Sequence, residues 1–482
     1  MKECILFLLI LFPFYSFSQQ PISISGKLKM KPETTIRIWR YTDNISFERQ
    51  IIHKTKSNAD SSFNVSIPLT ETELLNISAN EYSTQILFDP GQNYSIDLTP
   101  FSNQSGKSLQ VSSGSRPLIP QNDLIKAYDI VSDSAISLLF EHTNRRPTSS
   151  NIKQFNAVID KGLLKIDSKY CKDIVQSLRI HFLTMSRANS FSTAINTYYH
   201  CDNLPLENPA FQSLVSENFE SYFKSGPPSI TRYNLFSGIP DSLHYTDLLT
   251  TLSVDSSMTC LPIREMALLC NLYSMIKNEE LEPQKGNKLL NEGAKKSTSP
   301  FNRKLASNLA SSLLVKKRGT SLPDFLIISP EGNNISLSNF KGKALHISFF
   351  SVKGMADRNL LNQLTDIAHF ADSLGVAKFI CITTDENREE ITKFWKEKKY
   401  PMQLYFAPDD YALIDFFNIN SFPFFVLLDA EGKLSSLTPN FPGELLLKQI
   451  INLQSVGNQY PIHNQADQKS APSILQDHPV KK

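Results

Sequence analysis

Lys343-Ala-Leu-His-Ile-Ser-Phe-Phe-Ser-Val-Lys-Gly-Met-Ala-Asp-Arg358 decides how the rest of this chain is read. Its first half, residues 344–350, is a short and mostly apolar run behind a Lys-Gly-Lys turn, which predicts a buried strand. The spacing then becomes helical, with Leu360, Leu364, Ile367, Ala371 and Leu374 three or four residues apart. Strand, tight crossing and helix in that order form the first half of a βαβ unit. In a parallel sheet the junction between them, residues 351–357, is where chemistry is usually carried.

Working outward, Pro323-Asp-Phe and Ile335-Ser-Leu-Ser-Asn-Phe-Lys-Gly-Lys343 precede that strand. Phe422-Pro423 and Phe424-Phe-Val-Leu-Leu-Asp-Ala-Glu-Gly432 follow later. With these landmarks, residues 323–453 resemble the thioredoxin-like domain of extracytoplasmic bacterial thiol-disulfide proteins of the TlpA/ResA type, related to the AhpC/TSA proteins. The resemblance covers a little over a quarter of the chain and implies that Pro423 is a cis-proline. It also implies Phe-Trp-Ala-x-Trp-Cys-x-x-Cys-Arg after the strand. This chain has Phe349-Phe-Ser-Val-Lys-Gly354-Met-Ala-Asp357-Arg358, so Gly354 and Asp357 stand where that family has its two cysteines.

Disulfide exchange needs one thiolate to attack and a second thiol to resolve the mixed disulfide. A helix N-terminus assists by lowering the pKa of the first cysteine. Gly354 has no side chain, and the carboxylate of Asp357 can neither attack a disulfide reversibly nor be reduced. The expectation is a thioredoxin-like domain without catalytic residues at the motif. Binding is then the remaining use of the junction. Val352, Met355, Phe422 and Pro423 are the candidate lining of a shallow apolar groove for an extended polypeptide partner.

The 482 residues suggest roughly three domains on the usual prior of about 100–200 residues each. With 41% hydrophobic and 20% charged residues the composition is ordinary for a globular protein. A net charge of +2 and a pI near 8.0 single out no anionic partner, and no Lys/Arg cluster marks a nucleic-acid footprint. Residues 1–18 read as a signal peptide: Lys2, an apolar run over 5–15, then Ser16-Phe17-Ser18. No other run has transmembrane length. An exported protein of the periplasm or cell envelope is therefore expected, with no membrane span after signal removal.

Residues 21–100 alternate with period two, as in Ile22, Ile24 and Leu28, then Phe63, Val65 and Ile67, then Tyr94, Ile96 and Leu98. This predicts a small β-sandwich-like domain, with Trp39 and Tyr41 as strand formers. Residues 101–119, rich in Ser, Gly and Asn, read as a linker. From 120 to 318 the period is helical, with stripes at Leu124, Tyr128, Val131, Ala135 and Leu138, at Ile152, Phe155, Ile159 and Ile166, and at Ile263, Met266, Cys270 and Tyr273. Residues 319–455 are the α/β thioredoxin-like domain, and 456–482 read as a disordered tail. The fold class is thus multidomain: all-β, then α-helical, then α/β.

Five cysteines follow the signal segment, Cys171, Cys201, Cys260, Cys270 and Cys381, which leaves at least one unpaired within the chain. The pairs Cys171–Cys201 and Cys260–Cys270 are possible, but spacing does not fix the pairing. Cys381 lies in an apolar run that reads as the next parallel strand. His346 is expected to be packed rather than catalytic, and no residues show metal-ligand spacing, so no metal or cofactor is expected. The acidic run Asp385-Glu-Asn-Arg-Glu-Glu390 can be read as a carboxylate site but most simply as the first turns of a helix, and Asp409 as the cap of the next one. Two functions remain: a redox-inactive binding module, or a thiol-disulfide oxidoreductase or thiol-dependent antioxidant protein using cysteines outside the motif.

Overall fold

The structure, a computed structural model, describes residues 20–103, 106–114, 118–140, 146–220, 222–225, 243–278, 280–315, 318–352, 355–385, 387–408, 411–419, 422–436 and 442–457. The predicted signal segment, Gly354, Asp409 and most of the predicted tail lie outside the described residues.

Alternation of apolar and polar residues builds eight strands in the first domain: β1 (Gln20–Lys27), β2 (Thr35–Tyr41), β3 (Arg49–Lys56), β4 (Ser62–Leu69), β5 (Glu73–Ala79), β6 (Tyr82–Phe88), β7 (Asn93–Asn103) and β8 (Gly106–Ser113). They hydrogen-bond in the order β3-β2-β5-β6-β8-β7-β1-β4. Inward residues from both ends of that order, including Ile24, Ile38, Val65, Ile77, Phe88 and Leu98, share a single core. The predicted linker is a strand. Residues of β8 pair with β7 from Asn103↔Gly106 to Ile96↔Ser113, because Leu109 and Val111 carry the period-two pattern on among serines. Close packing leaves no room at Gly26, where a Cβ would lie 1.5 Å from the carbonyl oxygen of Ile96.

Helices then run from α1 (Ile119–Ile130), α2 (Asp133–Phe140), α3 (Ser149–Leu163) and α4 (Lys169–Met185) through α5 (Phe191–Tyr198), α6 (Pro209–Phe219) and α7 (Tyr222–Ser225). After the undescribed segment come α8 (Tyr245–Leu252), α9 (Leu261–Lys277), α10 (Pro283–Lys296) and α11 (Pro300–Val315). Side-chain oxygens of Thr148, Ser168, Ser190 and Asn208 accept from first-turn amides and so start α3, α4, α5 and α6. The predicted stripes hold with one exception: Tyr128 is 54% exposed. Helix α9 is buried almost all round, its Ile263, Met266, Cys270 and Tyr273 lying in one cluster with residues of α6, α8, α10 and α11.

The last domain has a seven-stranded sheet, β9 (Leu326–Ile328), β10 (Asn334–Ser336), β11 (Ala344–Phe350), β12 (Ala377–Thr383), β13 (Gln403–Phe406), β14 (Phe424–Leu428) and β15 (Leu434–Ser436). Their order is β10-β9-β13-β12-β11-β14-β15, with β11, β12 and β13 parallel and β14 antiparallel to β11. Helices α12 (Met355–Ser373), α13 (Arg388–Lys398), α14 (Ala412–Phe416) and α15 (Glu444–Gly457) connect and close it. Every residue of β11 is buried, and its side chains alternate between two cores: Leu345, Ile347 and Phe349 in one, Ala344 and Phe350 in the other. Of the predicted stripe on α12, Leu364 and Ala371 are buried and Ile367 packs against the same core, which Leu361 and Ala368 complete. Leu374 lies past the helix end and is 51% exposed. The closing helix also runs further than predicted, to Gly457.

Candidate functional site

At the junction between β11 and α12 the chain turns around a buried carboxylate. Asp385, which follows β12, is 6% exposed and is not part of a helix. It accepts from the backbone N–H of Val352 at 2.9 Å, from Ser351 Oγ at 3.2 Å and from Thr383 Oγ1 at 3.0 Å. The acidic run is therefore divided. Asp385 ties the two strand ends together, Asn387 caps α13 by accepting from Glu390 N, and only Glu389 and Glu390 lie in the first turn. The first domain reaches the same carboxylate: Lys107 of β8 bonds Glu81 and lies 3.6 Å from Asp385. Burial alone would lower the pKa of Lys107, but Glu81 and Asp385 outweigh it and raise it.

A second carboxylate anchors the loop that leads to Pro423. Asp415 of α14 accepts from Arg37 Nη1 at 2.9 and 3.0 Å and from Arg49 Nη1 at 3.3 Å. The three side chains are 15%, 6% and 12% exposed, a largely dry ion cluster between the β-domain and the α/β domain. Arg37 lies over the Tyr411 ring at 4.3 Å and Arg49 over the Trp39 ring at 4.6 Å. Burial pulls the Arg49 guanidinium below its ordinary pKa, against the pull of Asp415. The same tip of the β-domain holds the next residues of the loop: Arg49 Nη2 donates to Ile419 O at 3.0 Å, and Asn418 Nδ2 donates to Phe47 O. Three residues further on, Phe422-Pro423 is a cis peptide bond.

The C-terminal domain is an α/β fold with β11, β12 and β13 parallel, β14 antiparallel to β11, and a cis-proline just before β14. No family model and no curated protein matches the chain. Solved structures similar to part of it include the thioredoxin domain of a thiol-disulfide oxidoreductase from Bacteroides vulgatus, with 22% identity over 28% of this chain and 96% of that one, at a TM-score of 0.26. A thioredoxin-family thiol:disulfide interchange protein from Chlorobium tepidum matches with 22% identity over 28% of this chain and 97% of its own, at 0.25. An exposed lipoprotein thioredoxin from Streptococcus pneumoniae matches with 20% identity over 27% and 99%, at 0.24.

Of the predicted binding residues, Val352 and Phe422 are half-buried and Met355 opens α12. Val352 packs against the core that holds Phe350, and Phe422 against the one that holds Phe349, on opposite faces of the sheet. Asp357 lies in the first turn of α12. The described cysteines are all accounted for. Cys201 and Cys260 form a disulfide, so neither predicted pair occurs, since helical packing buries Cys171 and Cys270 away from them. Burial pushes the Cys171 thiol up to about 11 and the thiols of Cys270 and Cys381 well above their ordinary value. His346 is packed as expected, stacked on Phe379 with ring centroids 5.0 Å apart and 3.3 Å from Ser348 Oγ. Trp39 is buried, its Nε1 donating to Ser78 Oγ.

Sequence reading missed Asp385, Asp415, Arg37, Arg49 and Lys107. Arg37, Arg49, Lys107 and Asp415 lie in polar positions of their own elements and gain a role from the packing of one domain on another, whereas Asp385 follows β12 and is held mainly by Val352, Ser351 and Thr383 of its own domain. Among the described residues no group of His, Cys, Asp and Glu could hold a metal ion, and no helix is long and apolar enough to cross a membrane.

Proposed function

We propose that this is an exported thioredoxin-like protein of the cell envelope that binds a polypeptide and does not catalyse disulfide exchange at its thioredoxin motif. The observation that carries the reading is the identity of the residues at the junction. Gly354 and Asp357 replace the thiols, and Cys381, the single cysteine of the domain, is buried in mid-strand with a thiol too basic to ionise. The binding surface is centred on Phe422 and Pro423, with Met355 at the start of α12 and Val352 on the other face of the sheet, and takes an extended segment by backbone pairing. Support comes from the β-domain, whose tip holds residues 415–419 and so fixes the approach to Phe422.

The test is reduction of insulin with dithiothreitol as electron source. The parent protein stays at the uncatalysed rate, whereas Gly354→Cys/Asp357→Cys rises above it. A parent rate clearly above background that vanishes in Cys381→Ala overturns the reading. For the binding surface, Phe422→Ser weakens cross-linking to an extended peptide while the melting temperature moves little.

A further inference from the structure

The disulfide lies in the helical region, far along the chain from the degenerate motif, and its two halves differ. Cys201 sits in the turn after α5 and is exposed, whereas Cys260 is 9% exposed and occupies the N-cap of the 17-residue α9. No side chain caps that helix end, and since Pro262 has no amide hydrogen the first-turn donors left beside Cys260 are Leu261 N and Ile263 N. A cation lies beside it. Arg264 donates from Nε to Met258 O at 2.8 Å and from Nη2 to Thr259 O at 3.2 Å, which holds the guanidinium against the residue that precedes Cys260. The carboxylate on the same turn, Glu265, is fully buried and engaged by Thr298 N and Asn302 Nδ2.

We propose that Cys201–Cys260 is a thiol-disulfide exchange site, attacked at Cys201 by a dithiol reductant. Exchange is fastest when the attacked sulfur is accessible and the leaving sulfur is a stable thiolate. An uncapped helix N-terminus and a neighbouring arginine stabilise a thiolate at Cys260. In the first step the reductant's thiolate bonds to Cys201 Sγ, the Cys201–Cys260 bond breaks, and its electron pair leaves on Cys260 Sγ. In the second, the other thiolate of the reductant attacks its own sulfur in the mixed disulfide and expels Cys201 Sγ. The reductant departs as a disulfide, oxidised by two electrons, and its two protons end on the two cysteines. The turn that carries Cys201 runs into residues 204–208, one wall of a cleft between the helical region and the β-domain.

The site stands apart from the thioredoxin motif, and its assay reads the protein as substrate rather than catalyst, so either proposal can fail alone. The folded parent protein is treated with dithiothreitol without denaturant, quenched with iodoacetamide and mapped by mass spectrometry. Cys201 and Cys260 are labelled at least about ten-fold faster than the buried Cys171, Cys270 and Cys381. Labelling of all five together, or of Cys201 and Cys260 only in denaturant, makes the bond a structural staple and overturns the proposal. Arg264→Gln slows the reduction about three-fold, while Arg264→Lys keeps the parent rate. An Arg264→Gln rate equal to the parent's overturns the role of Cys260 as leaving group.

Discussion

The β-domain meets its two neighbours through contacts of opposite character. Toward the C-terminal α/β domain it presents arginines, and Arg37 and Arg49 close on Asp415 in a nearly dry pocket. Toward the helical region it presents amides and hydroxyls around open space. Asn44 N donates to Gln212 Oε1 at 2.6 Å, and Asn308 Nδ2 donates to Asp43 Oδ2 at 3.1 Å. Beside them lies a cleft of about 1340 Å³, lined by Glu71, Glu207 and Lys304 among others. A buried ion cluster tolerates no partial loss, because a remaining charge has no water to turn to. An amide hydrogen bond beside a cleft, such as that of Asn44, can be exchanged for water at small cost, the buried Asp43 carboxylate that meets Asn308 being the exception. The first contact therefore fixes one arrangement, and the second permits adjustment.

Removing the centre of the ion cluster should have the largest effect. Asp415→Ala leaves two buried guanidinium groups facing each other, and a loss of about 3–5 kcal/mol in denaturant unfolding is expected. A loss below about 1 kcal/mol would mean that water reaches the cluster, and the contrast between the two contacts would collapse.

Acid is the next lever, and it acts on the two sides with opposite sign. Burial holds His346 neutral, its pKa lowered to about 3. Below the unfolded value of about 6.5 the unfolded chain takes up a proton that the folded domain refuses. Stability of the C-terminal α/β domain therefore falls by at most about 1.4 kcal/mol per pH unit from pH 6.5 downward. His346→Leu should flatten that slope in a thermal-unfolding series, and an unchanged slope would assign the acid sensitivity to other groups.

Single hydrogen bonds at the cleft come third. Asn44→Asp keeps the shape but replaces the amide that donates to Ser213 Oγ, and Asn44→Ala removes it altogether. Each should cost about 1 kcal/mol, well below the Asp415 variant. An equal cost would show that the cleft side is as rigid as the ion cluster.

The smallest effect belongs to Glu71, whose pKa is raised to about 7 by burial and then by its contact with Glu207. A carboxyl with a raised folded pKa favours the folded contact at low pH and loses that advantage as pH rises from the unfolded value toward 7. Glu71 is exposed, so solvent screening keeps the change small. Glu71→Gln should remove a shallow pH dependence of proteolysis at the cleft between pH 5 and about 7.5 without moving the melting temperature. Persistence of that dependence in the variant would place its origin elsewhere.

What the sequence made legible follows from where the information is stored. Strand β11, the parallel β12 and the strand after Pro423 are written in contiguous residues, where the apolar period acts locally. The 106–113 strand was hidden because its serines imitate a linker while only Leu109 and Val111 keep the alternation. The pairing of Cys201 with Cys260 depends on how α5 and α9 pack, which no local pattern encodes. Asp415 looks like an ordinary surface acid until another domain covers it, and Asp385 like one of a helix's first acids until the fold brings Ser351 and Val352 against it.

The contact between Arg37 and Asp415 spans 378 positions of the chain. Loop closure over that distance is slow and entropically costly when the intervening chain is unfolded. A chain emerging from its N-terminus completes the β-domain long before the residues around Asp415 exist. Arg37 and Arg49 then wait in water as a basic surface, and the last step of assembly is the docking of two finished domains across the helical region that separates them.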